Sequence, residues 1–214
     1  MTHQDRHETV GTLKLSGEGI VSTKPDVAEL DVGVATEAKT AGEAVRANAQ
    51  RMTEVIAQIK GLGIQSESLQ TTGINLSAVY DYDEKSPTKG QIIGYRVEDT
   101  LRVRSDVELA GSVLDVAVSA GANIASGVRF TVRDDHKLRE QALAAAVKAA
   151  DRSATIVAQA LGARLEPPHQ IEITSAASSP VIRSSKSVEM STPVEAGSIS
   201  IRASVQVERR YRVE

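Results

Sequence analysis

Gly17-Glu18-Gly19 is the first place in the chain where residue type and spacing could do chemistry, because closely spaced glycines let a backbone approach a phosphate. The third glycine of a dinucleotide fingerprint is replaced by Ser22, and the run does not open a helix. A bulge or a close backbone approach within a strand is the expected role instead. His3 and His7 stand four apart, a metal-binding spacing on a helix, but the tail MTHQDRHETVGT around them is polar and has no reason to be helical. His136 sits beside Asp134 and Asp135, whose carboxylates are accounted for as helix-start caps, and His169 follows two prolines without an evident partner. Tyr80-Asp81-Tyr82-Asp83-Glu84 gathers three carboxylates. A calcium loop needs more oxygen ligands at ordered spacing and a positioned glycine, so a solvated hairpin end is expected here. The chain has no Gly-x-Ser-x-Gly elbow, and Ser178 and Ser184 have no base near them in sequence. The lack of cysteine removes thiolate catalysis, disulfides, iron–sulfur clusters and cysteine zinc sites together. The expectation is a non-enzymatic protein with no catalytic residues, no cofactor and no metal.

One set of residues rises above this background. Arg96, Arg102 and Arg104, then Arg129 and Arg133, then Arg202, Arg210 and Arg212 all fall on the outward parity of strand-like runs. If those runs share one sheet with helices behind it, the arginines gather on an open face. They are the candidate interface, with a facing subunit as the expected partner. Cross-strand pairing to acids such as Glu98 and Glu208 is the plainer alternative. An anion or nucleic-acid module is a further one. Nucleic acid is disfavoured because aromatics make up only 2% of the chain and the formal net charge is −3.

The elements that must carry these residues follow from periodicity. From Leu13 to Ala38 two strand runs flank Lys24-Pro25-Asp26, which reads as a hairpin turn. In the second run Ala28, Leu30, Val32 and Val34 alternate with Glu29 and Asp31. Thr40-Ala41-Gly42-Glu43 is a capping box opening a helix through Ala44, Asn48, Met52, Val55 and Ile59, with Gly61 or Gly63 as its stop. Ile74, Leu76, Ala78, Tyr80 and Tyr82 share one face of the next strand, and a polar turn over 83–90 returns the chain. The following strand points Ile93, Tyr95, Val97, Leu101 and Val103 inward. Ser105-Asp106-Val107-Glu108 reads as a second capping box, before a helix through Val113 and Ala117 that Gly121 ends. A strand with Val128 and Phe130 inward precedes a long helix, expected to bury Leu138, Ala142, Ala145, Ala146, Ala149, Ile156, Val157, Ala160 and Leu161. Ile171 and Ile173 start another strand. The serine-rich run 175–197 reads as a hairpin tip, a binding arm or a partly disordered segment. The last strand alternates from Ile199 to Val213.

In this order the chain resembles the SIMPL-domain family, which includes bacterial periplasmic stress proteins and an immunogenic outer-envelope antigen of pathogens. The matching pieces are Gly17-Glu18-Gly19, Pro25-Asp26, Ala44 with Asn48, Gly94-Tyr95, Gly121-Ala122, Leu161-Gly162, and Pro193 with Gly197. The resemblance implies a two-layer α/β fold in two subdomains, a tendency to form homo-oligomers, and an envelope or oxidative-stress role without a defined reaction. Together the readings give an α+β sandwich of order ββαββαβαββ, with a mostly antiparallel sheet and helices on one face. Residues 1–11 read as a flexible tail, 12–90 as an N-terminal subdomain and 91–214 as a C-terminal one, in which the last strand can pair back with the first. With no run of 18 apolar residues and no apolar signal segment at the printed N-terminus, no transmembrane segment is expected. The expected location is the cytoplasm, or the periplasm if a signal peptide has been removed.

Overall fold

A computed structural model describes residues 9–181 and 194–213. The strands are β1 (Thr9–Thr23), β2 (Val27–Ala38), β3 (Leu69–Tyr80), β4 (Ile92–Asp106), β5 (Ile124–Thr131), β6 (Ala163–Val181) and β7 (Ser198–Val213). The helices are α1 (Ala41–Gly61), α2 (Ala110–Ser119) and α3 (His136–Leu161). This is the α+β order expected from periodicity. The strands form two antiparallel sheets, β1-β7-β6 and β3-β4-β2-β5, where one was expected. The chain divides into two units, one of residues 1–24, 133–183 and 197–214 and the other of 25–132 and 184–196. Among the described residues no helix is long and apolar enough to cross a membrane.

In the unit built on α3, β1 pairs with β7 along its whole length, from Thr9 opposite Val213 to Thr23 opposite Ile199. The last strand thus does pair back with the first, and β1 begins at Thr9, inside the stretch expected to be a flexible tail. Lys24-Pro25 is therefore the passage from one unit to the other and not a hairpin turn. Beyond it Asp26 N–H donates to the Thr131 carbonyl at 3.2 Å, which starts the β2–β5 ladder.

The buried stripe of α3 is Ala142, Ala146, Ala150, Ala154 and Ala158, a strict i, i+4 row, whereas Ile156, Ala160 and Leu161 of the expected stripe are exposed. The cause lies on β1, where a Cβ added at Gly17 would sit 2.1 Å from the Ala146 carbonyl oxygen, and one at Gly19 2.0 Å from that of Ala142. Helix backbone rests on strand backbone, and only alanine fits between. Ile201, Ala203, Val205 and Val207 complete this core. Gly162, left-handed at φ 61°, ends α3 as expected. At its start Asp134, not Asp135, accepts the His136 N–H at 3.0 Å, while the Asp135 carboxylate pairs with Arg139.

The other unit packs larger side chains. Met52, Val55 and Ile59 of α1 meet Leu30, Val32, Val34, Leu101 and Val103 of the sheet, with Val113 and Ala117 of α2 in the same cluster. The Thr40–Glu43 capping box is complete, and Gly63, with a φ of 85°, turns the chain after α1. The second expected box does not form. Ser105 lies in β4 with its hydroxyl donating to the Asp106 carbonyl, and α2 starts from Leu109 without a side-chain cap. The expected division at residue 90 would cut the β3–β4 hairpin, whose strands pair from Leu69–Val103 to Tyr80–Ile92. Most of the serine-rich run, residues 182–193, lies outside the described residues, as does the His3 and His7 pair. The chain on either side of that run is the paired end of β6 and β7, with Val181 opposite Ser198.

Candidate functional site

The candidate arginines fall into the two sheets. Arg96, Arg102 and Arg104 on β4 and Arg129 on β5 belong to the four-stranded sheet, and Arg202, Arg210 and Arg212 on β7 to the three-stranded one, so no single sheet collects them. Arg133 follows β5. Register then decides what each meets. Asp31 stands directly opposite Arg102, and the pair is bidentate, Nε to Oδ1 at 2.8 Å and Nη2 to Oδ2 at 3.0 Å. The hydrogen bonds that Arg102 donates to Asp31, the charge of Asp31 and that of Glu29 raise the Arg102 pKa above its ordinary value. Glu29, opposite Arg104, reaches it at 3.3 Å and Arg129 of β5 at 3.9 Å. Arg96 meets Glu98 at 2.8 Å and Glu37 at 3.4 Å. Glu29, Asp31, Arg102, Gly127 and Arg129 line a cleft of about 160 Å³, so an entering anion would meet carboxylates as well as guanidinium groups.

On the three-stranded sheet Arg202 pairs with Glu18 at 3.5 Å and Arg212 with Glu166 at 2.7 Å. Glu208 takes Lys14 and, at 3.6 Å, His169. The Lys14 hydrogen bond is the main cause holding the Glu208 carboxyl below its ordinary pKa. Arg210 is exposed, with no ion-pair partner among the described residues.

The carboxylates of the β3–β4 turn are spent on the turn itself. Asp81 accepts from the hydroxyls of Ser86 and Thr88 and from the Asp83 N–H at 3.0 Å, and these bonds lower its pKa. Asp83 accepts from the Lys85 N–H at 2.9 Å. This ordered end carries Tyr80, Tyr82, Ile92 and Ile93, all solvent-exposed, with Tyr82 reaching 80%.

Two charged residues on the helix side of their strands escape a reading by parity because they interrupt an apolar alternation, and that interruption is the available signal. Arg209 on β7 pairs with Asp151 of α3 at 2.7 Å. Asp99 on β4 lies between Val97 and Leu101, opposite Val34 and Ile74, and is only 9% exposed. Its Oδ1 is buried with no hydrogen-bond partner among the described residues, and desolvation raises the pKa of its carboxyl. Asn48 of α1 is also buried, and its amide donates to the Val34 carbonyl at 2.8 Å and the Val97 carbonyl at 3.3 Å, tying helix to sheet.

Against known proteins, residues 13–208 match the family SIMPL, "Protein of unknown function (DUF541)". The chain belongs to the SIMPL family. The 26 kDa periplasmic immunogenic protein of Brucella melitensis biotype 1 is 32% identical over 209 residues, 91% of this chain and 82% of that protein. Uncharacterized protein YggE of Escherichia coli K12 is 28% identical over 201 residues, 92% of this chain and 80% of that one. None of these descriptions carries an enzymatic name. The periplasmic name of the Brucella relative supports the periplasmic alternative, and nothing in the comparisons supports the cytoplasm.

Proposed function

We propose that this SIMPL-family protein is a non-enzymatic, periplasmic assembly component that acts as a homo-oligomer. The observation that carries the reading is the end of the β3–β4 hairpin. Tyr80, Tyr82, Ile92 and Ile93 are held in solvent by a turn that Asp81 fixes through its hydrogen bonds. Tyrosine and aliphatic groups on a preorganised projection suit an interface core, since little entropy is lost on docking. Arg96, Arg102, Arg104 and Arg129, on the same sheet as the hairpin, would then serve at the rim. Light scattering tests the reading. Tyr82→Ser with Ile93→Ser lowers the mass of the wild-type particle while circular dichroism stays unchanged; a monomeric wild type, or a variant of unchanged mass, removes the reading.

A stress role rests on the family resemblance, and its test is peroxide survival of a deletion strain with and without the gene restored. An anion-binding role is favoured only by exposed Arg210. The acids answering Arg96, Arg102, Arg104, Arg129, Arg202 and Arg212 weigh against it.

A further inference from the structure

Of the four sheet edges among the described residues, β1, β6, β5 and β3, the first three carry the usual protections against pairing with a foreign strand. β1 has Lys14 and Glu18. β6 has Glu166, Pro167, Pro168 and Glu172, and β5 is short, with Arg129 and a register shift where it meets β2. β3 has neither a charged residue nor a proline in Leu69–Tyr80. Its register shifts bracket Gly73 to Val79, and that stretch pairs with β4 without a break. Its helix-side residues Ile74 and Leu76 are 70% and 48% exposed, because the helices of this unit lie over β2 and β4 and leave this stretch of β3 largely uncovered. Directly opposite Ile74 stands Asp99, the buried carboxylate with an oxygen that no described residue satisfies. An apolar strip on a free edge thus borders a buried negative charge lacking its complement, and such a charge is costly until a cation meets it.

We propose that the β3 edge takes an extended segment of another protein, apolar at alternate positions on the helix side and bearing one lysine or arginine that answers Asp99. A strand added to β3 would lie two strand spacings from β4, roughly 10 Å. The methylene stem of the cation would run over exposed Ile74 while its head reaches the Asp99 carboxylate, with backbone hydrogen bonds along β3 supplying affinity. A second copy pairing β3 to β3 fits less well, because β3 has no lysine or arginine and both Asp99 carboxylates would stay unanswered. The proposal is independent of the self-assembly reading, which uses the hairpin end.

The probe is the labelled peptide Val-Thr-Val-Thr-Lys-Thr-Val-Thr-Val, beside the same peptide with norleucine for lysine, titrated against the full chain by fluorescence anisotropy. The lysine peptide binds about tenfold more tightly, the usual worth of a charged hydrogen bond. In Asp99→Asn the two peptides bind alike, and in Ile74→Lys, which brings an internal cation to the edge, the preference also disappears. Equal affinity in the wild type, no binding at millimolar peptide, or a preference that survives Asp99→Asn overturns the proposal. So does a fall in particle mass in Asp99→Asn by light scattering, which would make a second copy the occupant. The hairpin-end variant Tyr82→Ser with Ile93→Ser keeps the peptide preference whether or not its assembly changes.

Discussion

The two units solve the same problem, one face of a sheet covered by helix, with opposite materials. In the α3 unit every buried helical residue is alanine, and the strand answers with Gly17 and Gly19, so backbone meets backbone. In the other unit Met52, Val55 and Ile59 hold α1 away from the sheet, and the space admits polar groups, Asn48 satisfied and Asp99 not. Close seating leaves no room for added atoms but loses little when atoms are removed. A side-chain core behaves the other way, and it can house charge beside an uncovered edge.

The largest expected effect comes from filling the close seat. Gly19→Ala puts a methyl group into the Ala142 carbonyl and Gly17→Ala into that of Ala146. Each is expected to cost about 3 kcal/mol, the upper range of overpacking, read as a lowered denaturation midpoint. In the other unit the same size of loss comes from removing atoms, with Ile59→Ala expected to cost about 3 kcal/mol. If Gly17→Ala proves harmless, α3 does not rest on β1 in this way and the contrast fails.

Asn48→Leu is next. It keeps the volume but leaves the Val34 and Val97 carbonyls without the amide they share, and about 2 kcal/mol should be lost. Asp99→Asn should act in the opposite direction at neutral pH, a gain of about 1 kcal/mol from relieving a desolvated charge. The sign follows from linkage. Burial raises the folded-state pKa of Asp99, so the wild type is favoured at pH below the unfolded carboxyl value and loses that advantage as pH rises through the folded one. The advantage of the asparagine variant should therefore be largest at neutral pH and shrink on acidification, as followed by midpoints across the carboxyl range. A pH-independent difference would mean that the carboxyl titrates alike in the folded and unfolded chains, so that folding does not desolvate it. A stabilising change that abolishes the lysine-peptide preference would mark Asp99 as kept at a cost in stability.

Much of this contrast is legible in the sequence, and the part that is not has a common cause. Element order, the Thr40 cap, the Gly162 stop and the inward parities of β2 and β7 are local, set by residues within one turn or one strand of each other. Which strand pairs with which is not local. The Lys24-Pro25-Asp26 run has the residues of a turn whether the next strand folds back or enters another sheet, and only the 15-residue ladder with β7 settles that. Side-chain size as a sign of burial draws the expected stripe of α3 toward Ile156 and Leu161, whereas the glycines of β1 select the smallest residues. Ser105 matches a cap pattern while already committed to β4. Among the candidate site residues, outward parity is readable for the arginines, but their acidic partners across the ladder depend on register.

The smallest effects concern those arginines and sharpen the comparison at the surface. Arg102 and Arg210 share the outward parity of their strands, yet Arg102 is held bidentately by Asp31, with side chains 32% and 26% exposed, whereas Arg210 has no ion-pair partner among the described residues. Partial exposure screens the Arg102–Asp31 pair, so a double-mutant cycle with Arg102→Gln and Asp31→Asn should give a coupling of about 1 kcal/mol, weakening in high salt. Arg210→Gln should leave the midpoint within about 0.5 kcal/mol, as surface substitutions do. Reversing both charges, Arg102→Glu with Arg210→Glu, then separates stability from assembly. The first change sets a third carboxylate against those of Asp31 and Glu29 and lowers the midpoint; the second has no such local opponent. If the arginine faces form the rim of an oligomer, Arg210→Glu alone lowers the particle mass in light scattering without moving the midpoint. If it changes neither, Arg210 takes no part in a rim, and the proposed assembly would rest on the hairpin end alone.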